Sequence, residues 1–390
     1  VGATELKKRK VCLVITTRGN YAKMKSVIQS IQSDGGMELQ IILGGGAILH
    51  KYGDIGRSLI DNGVKIDRII HFLVEGENPV TMAKSAGLAV TEFSTAFENL
   101  CPDVVVVIAD RFECLPVAMT AGYMNIPVAH VEGGEVSGSI DESVRHAITK
   151  LSHLHFPATE GAAKRIEKLG EDPRAIFPVG ATSLDVIAGL DLDEIMPLME
   201  AQKRTGVGAV VDLTEPYLVV VQHPVTTEYE QNLIHIRETI EAIDALGMRT
   251  VWIWPNMDAG SDGISKGIRE FREKKAPAYI HFFKSLPIEY YAPLLKNAAC
   301  IVGNSSSGVR EAAFMGVPAV NIGSRQDGRE RCDNLVDVGY DRGEIKRAIQ
   351  AQVEHGPYEP DFLYGDGKAG ERIVAILRDF QFRIQKRIVY

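Results

Sequence analysis

Short, continuous runs of β-branched and other apolar residues alternate with longer amphipathic stretches, and midway along the chain the alternation starts again. The first series lies at 11–17, 39–43, 104–109, 128–131 and 153–157, with helical patterning from about 23 and over 113–123. The second lies at 217–222, 250–254, 279–283, 299–302 and 319–322, with helical patterning over 228–245 and 307–314. Runs that are apolar at every position belong to strands buried on both faces, which is the condition of a parallel sheet covered by helices on each side. A chain of 390 residues also exceeds what one hydrophobic core usually supports. The expected class is therefore α/β, with two Rossmann-like doubly wound domains. Strand signals lapse between 180 and 215, which places the domains at 1–185 and 186–369. A terminal helix near 370–386 would return to the first domain, so that 370–390 packs back on it. Open parallel sheets bind ligands beyond the carboxyl ends of their strands, and an interdomain active-site cleft is the expected ligand site.

Composition narrows the function classes. With 45% apolar and 24% charged residues the chain is too aliphatic for disorder, and its longest aliphatic run, 104–108, is too short to span a bilayer. The basic residues Lys7–Lys10 precede only a brief apolar run before Arg18, too short for a secretory segment, so a cytoplasmic protein without a membrane partner is expected. Five scattered cysteines, Cys12, Cys101, Cys114, Cys300 and Cys332, form no CxxC pair and suggest reduced thiols and no metal site. A formal charge of −8 argues against a nucleic-acid partner, which needs a basic face.

Chemistry-bearing residues gather where strands stop. Asp110 and Arg111 follow the run 104–109: the guanidinium can fork onto phosphate or carboxylate, and the acid is either a catalytic group or a helix N-cap. After 128–131 comes a glycine-rich loop holding Glu132, Gly133, Gly134 and Gly138, with Asp141 at the start of the next helix. Glycines at that density indicate unusual backbone angles or close approach to a ligand. His223, in the run QHPVTT, ends a strand of the second half before Pro224, either as a structural histidine or as a site residue. The loop GNSSSG at 303–308, with Ser305 and Ser306, offers hydroxyls and backbone amides at a helix start, which suits a diphosphate. No GxxxxGK[ST] occurs, so nucleotide triphosphate hydrolysis is disfavoured. Glu311 in the following helix could accept ribose hydroxyls, or be a solvated carboxylate. Arg325, in the next strand-end loop, and Arg18, after the first strand, each offer a guanidinium.

Taken together, the run 110–146, containing VEGGEVSGSIDESVRHAITKL, with QHPVTT, the stretch 255–261, GNSSSGVRE and the GSRQ loop, closely resembles the hydrolysing UDP-N-acetylglucosamine 2-epimerases. These comprise the bacterial sialic-acid-pathway enzyme and the epimerase half of the animal bifunctional epimerase/kinase. The likeness extends over nearly the whole chain, in order. It departs at Asn20, where the relatives carry an acid, and at Ala22, where the animal enzyme has Ser. The resemblance implies a glycosyltransferase-B-like pair of domains in a homodimer or homotetramer. By motif matching it implies a catalytic set of Asp110, Glu132, Asp141 and His223. It also implies contacts to a UDP-sugar substrate from Arg18, Arg111, Asn256, Lys284, Ser305, Ser306, Glu311 and Arg325. The implied reaction converts UDP-N-acetylglucosamine to UDP and the free 2-epimer for sialic-acid-type sugar synthesis. No cofactor is required by that chemistry, and metal dependence is left open. Alternatives are the same chemistry on a UDP-2,4-diacetamido-2,4,6-trideoxyhexose for legionaminic-type acids, a non-hydrolysing 2-epimerase, a glycosyltransferase, and a catalytically silent nucleotide-sugar sensor.

Overall fold

The computed structural model describes residues 8–49, 55–75, 79–108, 111–136, 140–255 and 260–390. The chain divides into two compact units. The first comprises Val1–Glu135, Ile140–Val186 and Gly365–Tyr390, and the main run of the second is Ile187–Tyr364.

The first unit is built on strands β1 (Arg9–Ile15), β2 (Met37–Gly44), β3 (Arg68–Ile70), β4 (Val104–Ile108), β5 (Val128–Val131) and β6 (Leu154–Phe156). They form one sheet in the order β3-β2-β1-β4-β5-β6, every pair parallel. Side chains alternate between two cores. Val11, Leu13, Ile15, Val104, Val106 and Ile108 enter one, while Cys12, Val14, Val105 and Val107 enter the other. Each such aliphatic side chain contributes roughly 1.5–3 kcal/mol by leaving water, which explains why the strands read as unbroken apolar runs. Helices α1 (Arg18–Ser33), α2 (Ile55–Asp61), α3 (Pro79–Leu100), α4 (Cys114–Tyr123), α5 (Ile140–Leu151), α6 (Glu160–Lys168) and α7 (Thr182–Ala188) connect and follow the strands.

The second unit has β7 (Val207–Gly208), β8 (Leu218–Val221), β9 (Thr250–Ile253), β10 (Ile280–Phe283), β11 (Cys300–Gly303), β12 (Ala319–Ile322) and β13 (Leu335–Val338). Their order is β13-β12-β11-β8-β9-β10-β7, with only β7 antiparallel. Leaving out that edge strand, the order repeats that of the first unit: the first parallel strand is central, and the chain crosses to its other side after three strands. The places where connection direction reverses, between β1 and β4 and between β8 and β11, are where a doubly wound sheet opens a crevice at its carboxyl edge. Helices α8 (Met196–Arg204), α9 (Asn232–Leu246), α10 (Ser261–Lys275), α11 (Ile288–Lys296), α12 (Ser306–Val309), α13 (Glu311–Met315) and α14 (Arg342–His355) complete the unit.

Four expected helices differ: the one expected from about 23 already begins at Arg18, because Thr17 caps it there. The one expected over 228–245 begins later, at Asn232, after a 3-10 segment Thr226–Gln231. The Asn232 side chain accepts from Val225 N at 3.0 Å and donates to Val225 O at 3.3 Å, which holds the turn open ahead of the helix. The helix expected over 307–314 is split into α12 and α13 at Arg310 (φ −106°, ψ −66°), a buried guanidinium lying over the Tyr364 ring at 5.5 Å. The last helix, α15 (Ala369–Asp379), is shorter than 370–386. It packs on α1 inside the first unit through Ala369, Ile373, Val374 and Leu377, and the Asp185 carboxylate accepts from Ala369 N and Gly370 N at 2.9 and 2.6 Å. It stops because Phe380 turns edge-on to Phe177 at 6.1 Å and Arg9 donates to the carbonyls of Leu377 and Phe380.

Candidate active site

In the first unit two of the expected acids, Glu132 and Asp141, follow β5 at the carboxyl edge of the sheet and open the next helix. Thr17 caps α1 by accepting from Asn20 N at 3.1 Å, so the helix starts with Arg18, exposed, immediately beyond β1. Asn20 itself is buried and accepts from the Thr16 hydroxyl at 2.7 Å, so its departure from the family pattern is absorbed in local packing. Glu132 follows β5 directly, is 2% exposed, and takes a left-handed backbone with φ 60°. A non-glycine residue there costs energy that surrounding structure must offset, and such outliers concentrate at functional sites. Its amide donates to Phe156 O at 2.9 Å, and its carboxylate meets Lys23 Nζ at 2.5 Å. Lys23 is a residue that the sequence reading missed: it is one helical lysine among several, and only the fold shows that α1 turns it toward β5.

Asp141 lies in the first turn of α5. Its charge reaches Glu113, a buried carboxyl whose pKa is pushed up by burial, against the pull of Arg111 at 3.4 Å, with Asp141 adding to the push. Arg111 is half-exposed. Glu113 was visible only as part of the sequence DRFE, because burial has no local signature. Asp110 lies outside the described residues, as does Asn256. Of the loop glycines, Gly134 (φ 76°) has its Cα packed on the Ala162 carbonyl, where a Cβ would sit 2.3 Å from the oxygen. Gly134 thus shows the unusual backbone angle expected of this loop, and its packing against α6 leaves no room for a side chain.

In the second unit, three separate sequence motifs converge on Asn304, which is fully buried. Its side chain clasps the backbone of His223, accepting from His223 N at 2.7 Å and donating to His223 O at 2.8 Å. Its own carbonyl accepts from Arg325 Nη1 at 3.1 Å and Gln326 Nε2 at 2.8 Å. QHPVTT, GNSSSG and GSRQ thus meet at the carboxyl ends of β8, β11 and β12. Burial, then the Arg325 cation, pushes the His223 imidazole down to about 3, so the ring is neutral near neutral pH. Ser305 caps α12 by accepting from Ser307 N at 3.3 Å, with Ser306 as the first helical residue. Because α12 is a single turn, its dipole is weaker than that of the expected longer helix. Glu311 opens α13, and its Oε2 is buried with no hydrogen-bond partner among the described residues, an acceptor suited to a ligand hydroxyl. Lys284 is exposed directly after β10.

Among the described residues, no three His, Cys, Asp or Glu side chains are grouped to hold a metal ion, and no helix is long and apolar enough to cross a membrane. Against known families, residues 29–378 match UDP-N-acetylglucosamine 2-epimerase. The chain belongs to that family. A UDP-N,N'-diacetylbacillosamine 2-epimerase (hydrolyzing) of Legionella pneumophila is 33% identical over 383 residues, 97% of each chain. A UDP-N-acetylglucosamine 2-epimerase of Neisseria meningitidis serogroup B is 30% identical over 387 residues, 98% of this chain and 99% of that one. The crystal structure of the UDP-GlcNAc 2-epimerase from Neisseria meningitidis bound to UDP-GlcNAc superposes with a TM-score of 0.79 at 17% aligned identity, covering 94% of this chain and 99% of that one. This epimerase-family chain therefore has two α/β domains with parallel sheets, like its glycosyltransferase-B-like relatives.

Proposed function

We propose that the protein is a hydrolysing 2-epimerase, which releases UDP and a free 2-epimeric sugar from a UDP-2-acetamido sugar. The C2 proton of such a sugar is not α to a carbonyl, so cleavage of the anomeric C–O bond must lead. UDP departs with the bonding electrons, C1 gains positive character, and a carboxylate removes the now acidic C2 proton to leave a C1=C2 glycal. Water then adds its oxygen to C1 while C2 receives a proton on the opposite face. Asp110, Glu132 and Asp141 supply the base and activate water. Arg18, Arg111, Lys284, Arg325, Asn256 and the Ser305–Ser306 hydroxyls and amides hold the diphosphate and sugar, and Glu311 takes a ribose hydroxyl. His223 meets the departing phosphate as a neutral imidazole, because burial and then Arg325 push its pKa in the folded protein down to about 3.

The observation that carries this reading is Glu132: a carboxylate buried at a strand's carboxyl end, in a disfavoured backbone conformation, paired to Lys23. Hydrolysis, in place of return of UDP, is favoured by the hydrolysing relative at 33% identity over the full length. The same relative favours a second substrate, the UDP-2,4-diacetamido-2,4,6-trideoxyhexose, beside UDP-N-acetylglucosamine. Turnover of each nucleotide in H₂¹⁸O tests both points. The expected result is UDP without ¹⁸O on its β-phosphate, together with a free 2-epimer from the preferred sugar. Label in UDP would mean P–O cleavage, and an intact epimeric nucleotide would mean a non-hydrolysing enzyme.

A further inference from the structure

Glu228 follows β8 on the 3-10 segment Thr226–Gln231, yet its own backbone is not helical (φ −116°, ψ 30°). That departure aims its carboxylate at the turn after β12. One oxygen accepts from the Ser324 hydroxyl, and the other accepts from the Tyr340 phenol at 2.9 Å. Ser324 is the residue before Arg325. Tyr340 is itself fixed from two sides. The His235 ring of α9 stacks on it, with centroids 3.4 Å apart and planes 4° apart, and a Cβ on Gly323 would come within 2.1 Å of the phenol. Burial and Glu228 push the Tyr340 phenol well above its ordinary value, so it stays a neutral donor. The turn Ser324–Gln326 is thus held at both ends: Glu228 grips Ser324, and the Asn304 carbonyl receives Arg325 and Gln326.

We infer that Glu228 is a positioning residue for diphosphate recognition: through Ser324 and Tyr340 it fixes the turn that presents the Arg325 guanidinium. This rests on the reading of Arg325 as a nucleotide contact. A carboxylate suits the task because both of its oxygens are acceptors, and Ser324 and Tyr340 each bring a hydroxyl donor, with His235 Nδ1 3.5 Å from the oxygen that Tyr340 meets. An arginine presented from a fixed turn also loses less freedom when phosphate binds.

The test is a double-mutant cycle on UDP affinity, read by calorimetry on the full chain, with amide exchange over 323–327 measured in parallel. Glu228→Ala is expected to weaken UDP binding about tenfold and to speed exchange in the turn, with Glu228→Gln intermediate, as for supporting residues around other bound groups. In an Arg325→Ala background the same change is expected to leave UDP affinity almost unmoved, because the two residues act on one contact. Equal loss in both backgrounds would overturn the inference, and so would unchanged affinity with faster exchange. If the parent protein binds no UDP, the nucleotide reading fails, and with it this role; the exchange data then report separately whether Glu228 holds the turn.

Discussion

Glu132 combines a buried carboxylate with a left-handed backbone, and it is a residue proposed to work on the C2 proton. A left-handed backbone costs roughly 1–2 kcal/mol for a non-glycine residue, and burying a carboxylate costs more unless a partner offsets it. Lys23 at 2.5 Å is that partner. Glu132→Gln keeps size and removes the basic oxygen, so turnover should fall about 100-fold or more while UDP affinity changes little. Steady-state kinetics beside calorimetry checks this, and turnover like the parent's would remove Glu132 from the mechanism. His223 supplies a second residue-level prediction. Its folded pKa, near 3, lies below the ordinary 6.5, so the unfolded chain binds the proton more readily. Stability contributed at this site is full above about 6.5 and is lost as pH falls toward 3. NMR titration of the free protein should show an uncharged His223 ring down to pH 5. Arg325→Ala should raise its pKa, since a nearby cation opposes protonation. Glu132 and His223 were legible in the sequence because each directly follows a strand. Lys23, Glu113 and Asn304 were not, because what marks them is a through-space partner or burial.

At the scale of elements, a buried acid joins several backbone contacts, among them Val389 N to Gly170 O, in holding the C-terminal tail to the first unit. Glu171, beyond α6, is 2% exposed and accepts from Lys386 at 2.5 Å, Lys150 at 2.6 Å and His155 at 3.2 Å. Burial pushes its pKa up, but hydrogen bonds from His155, Lys150 and Lys386 outweigh it and hold the carboxyl at about 2. Because that lies below the ordinary value of 4.5, the stability it supplies is complete above pH 4.5 and disappears as pH falls toward 2. Lys386→Ala should therefore destabilise the protein by about 1–3 kcal/mol at neutral pH, with the difference from the parent shrinking in acid. Chemical denaturation at pH 7 and pH 3 would show it, and equal differences at both would contradict the role given to Glu171. The core strands β1, β4, β5, β8 and β11 were readable from their apolar runs. Among the edge strands, Leu154–Phe156 was readable because it is buried throughout, whereas Arg68–Ile70 and Leu335–Val338 are partly exposed, Val207–Gly208 is exposed throughout, and none of those three was read. Helix 307–314 was misread because Arg310, charged and seemingly outward, is buried and breaks it.

At the scale of the molecule, one design is used twice. Each unit places its first parallel strand at the centre, and described residues singled out in the sequence, Arg18 and Glu132 in one and His223, Ser305 and Arg325 in the other, follow strands at the carboxyl edge of their sheet. The proposed division of labour follows: the acids Glu132 and Asp141 in the first unit, and in the second a neutral His223 imidazole beside the residues proposed to hold the diphosphate. The two-fold repetition was legible because the strand–helix alternation restarts. A return of 370–390 to the first domain was expected from the terminal helical pattern; in the structure Gly365–Tyr390 belongs to the first unit, tied by contacts such as Asp185 with Gly370. The central claim is that C1–O cleavage and C2 deprotonation precede addition of water. ¹H and ¹³C NMR of the preferred UDP-2-acetamido sugar, incubated with the protein in D₂O, follows both carbons in one sample. UDP and a free 2-epimeric sugar carrying deuterium at C2 are expected from the first turnover. A released sugar that keeps its original hydrogen at C2 would contradict that claim.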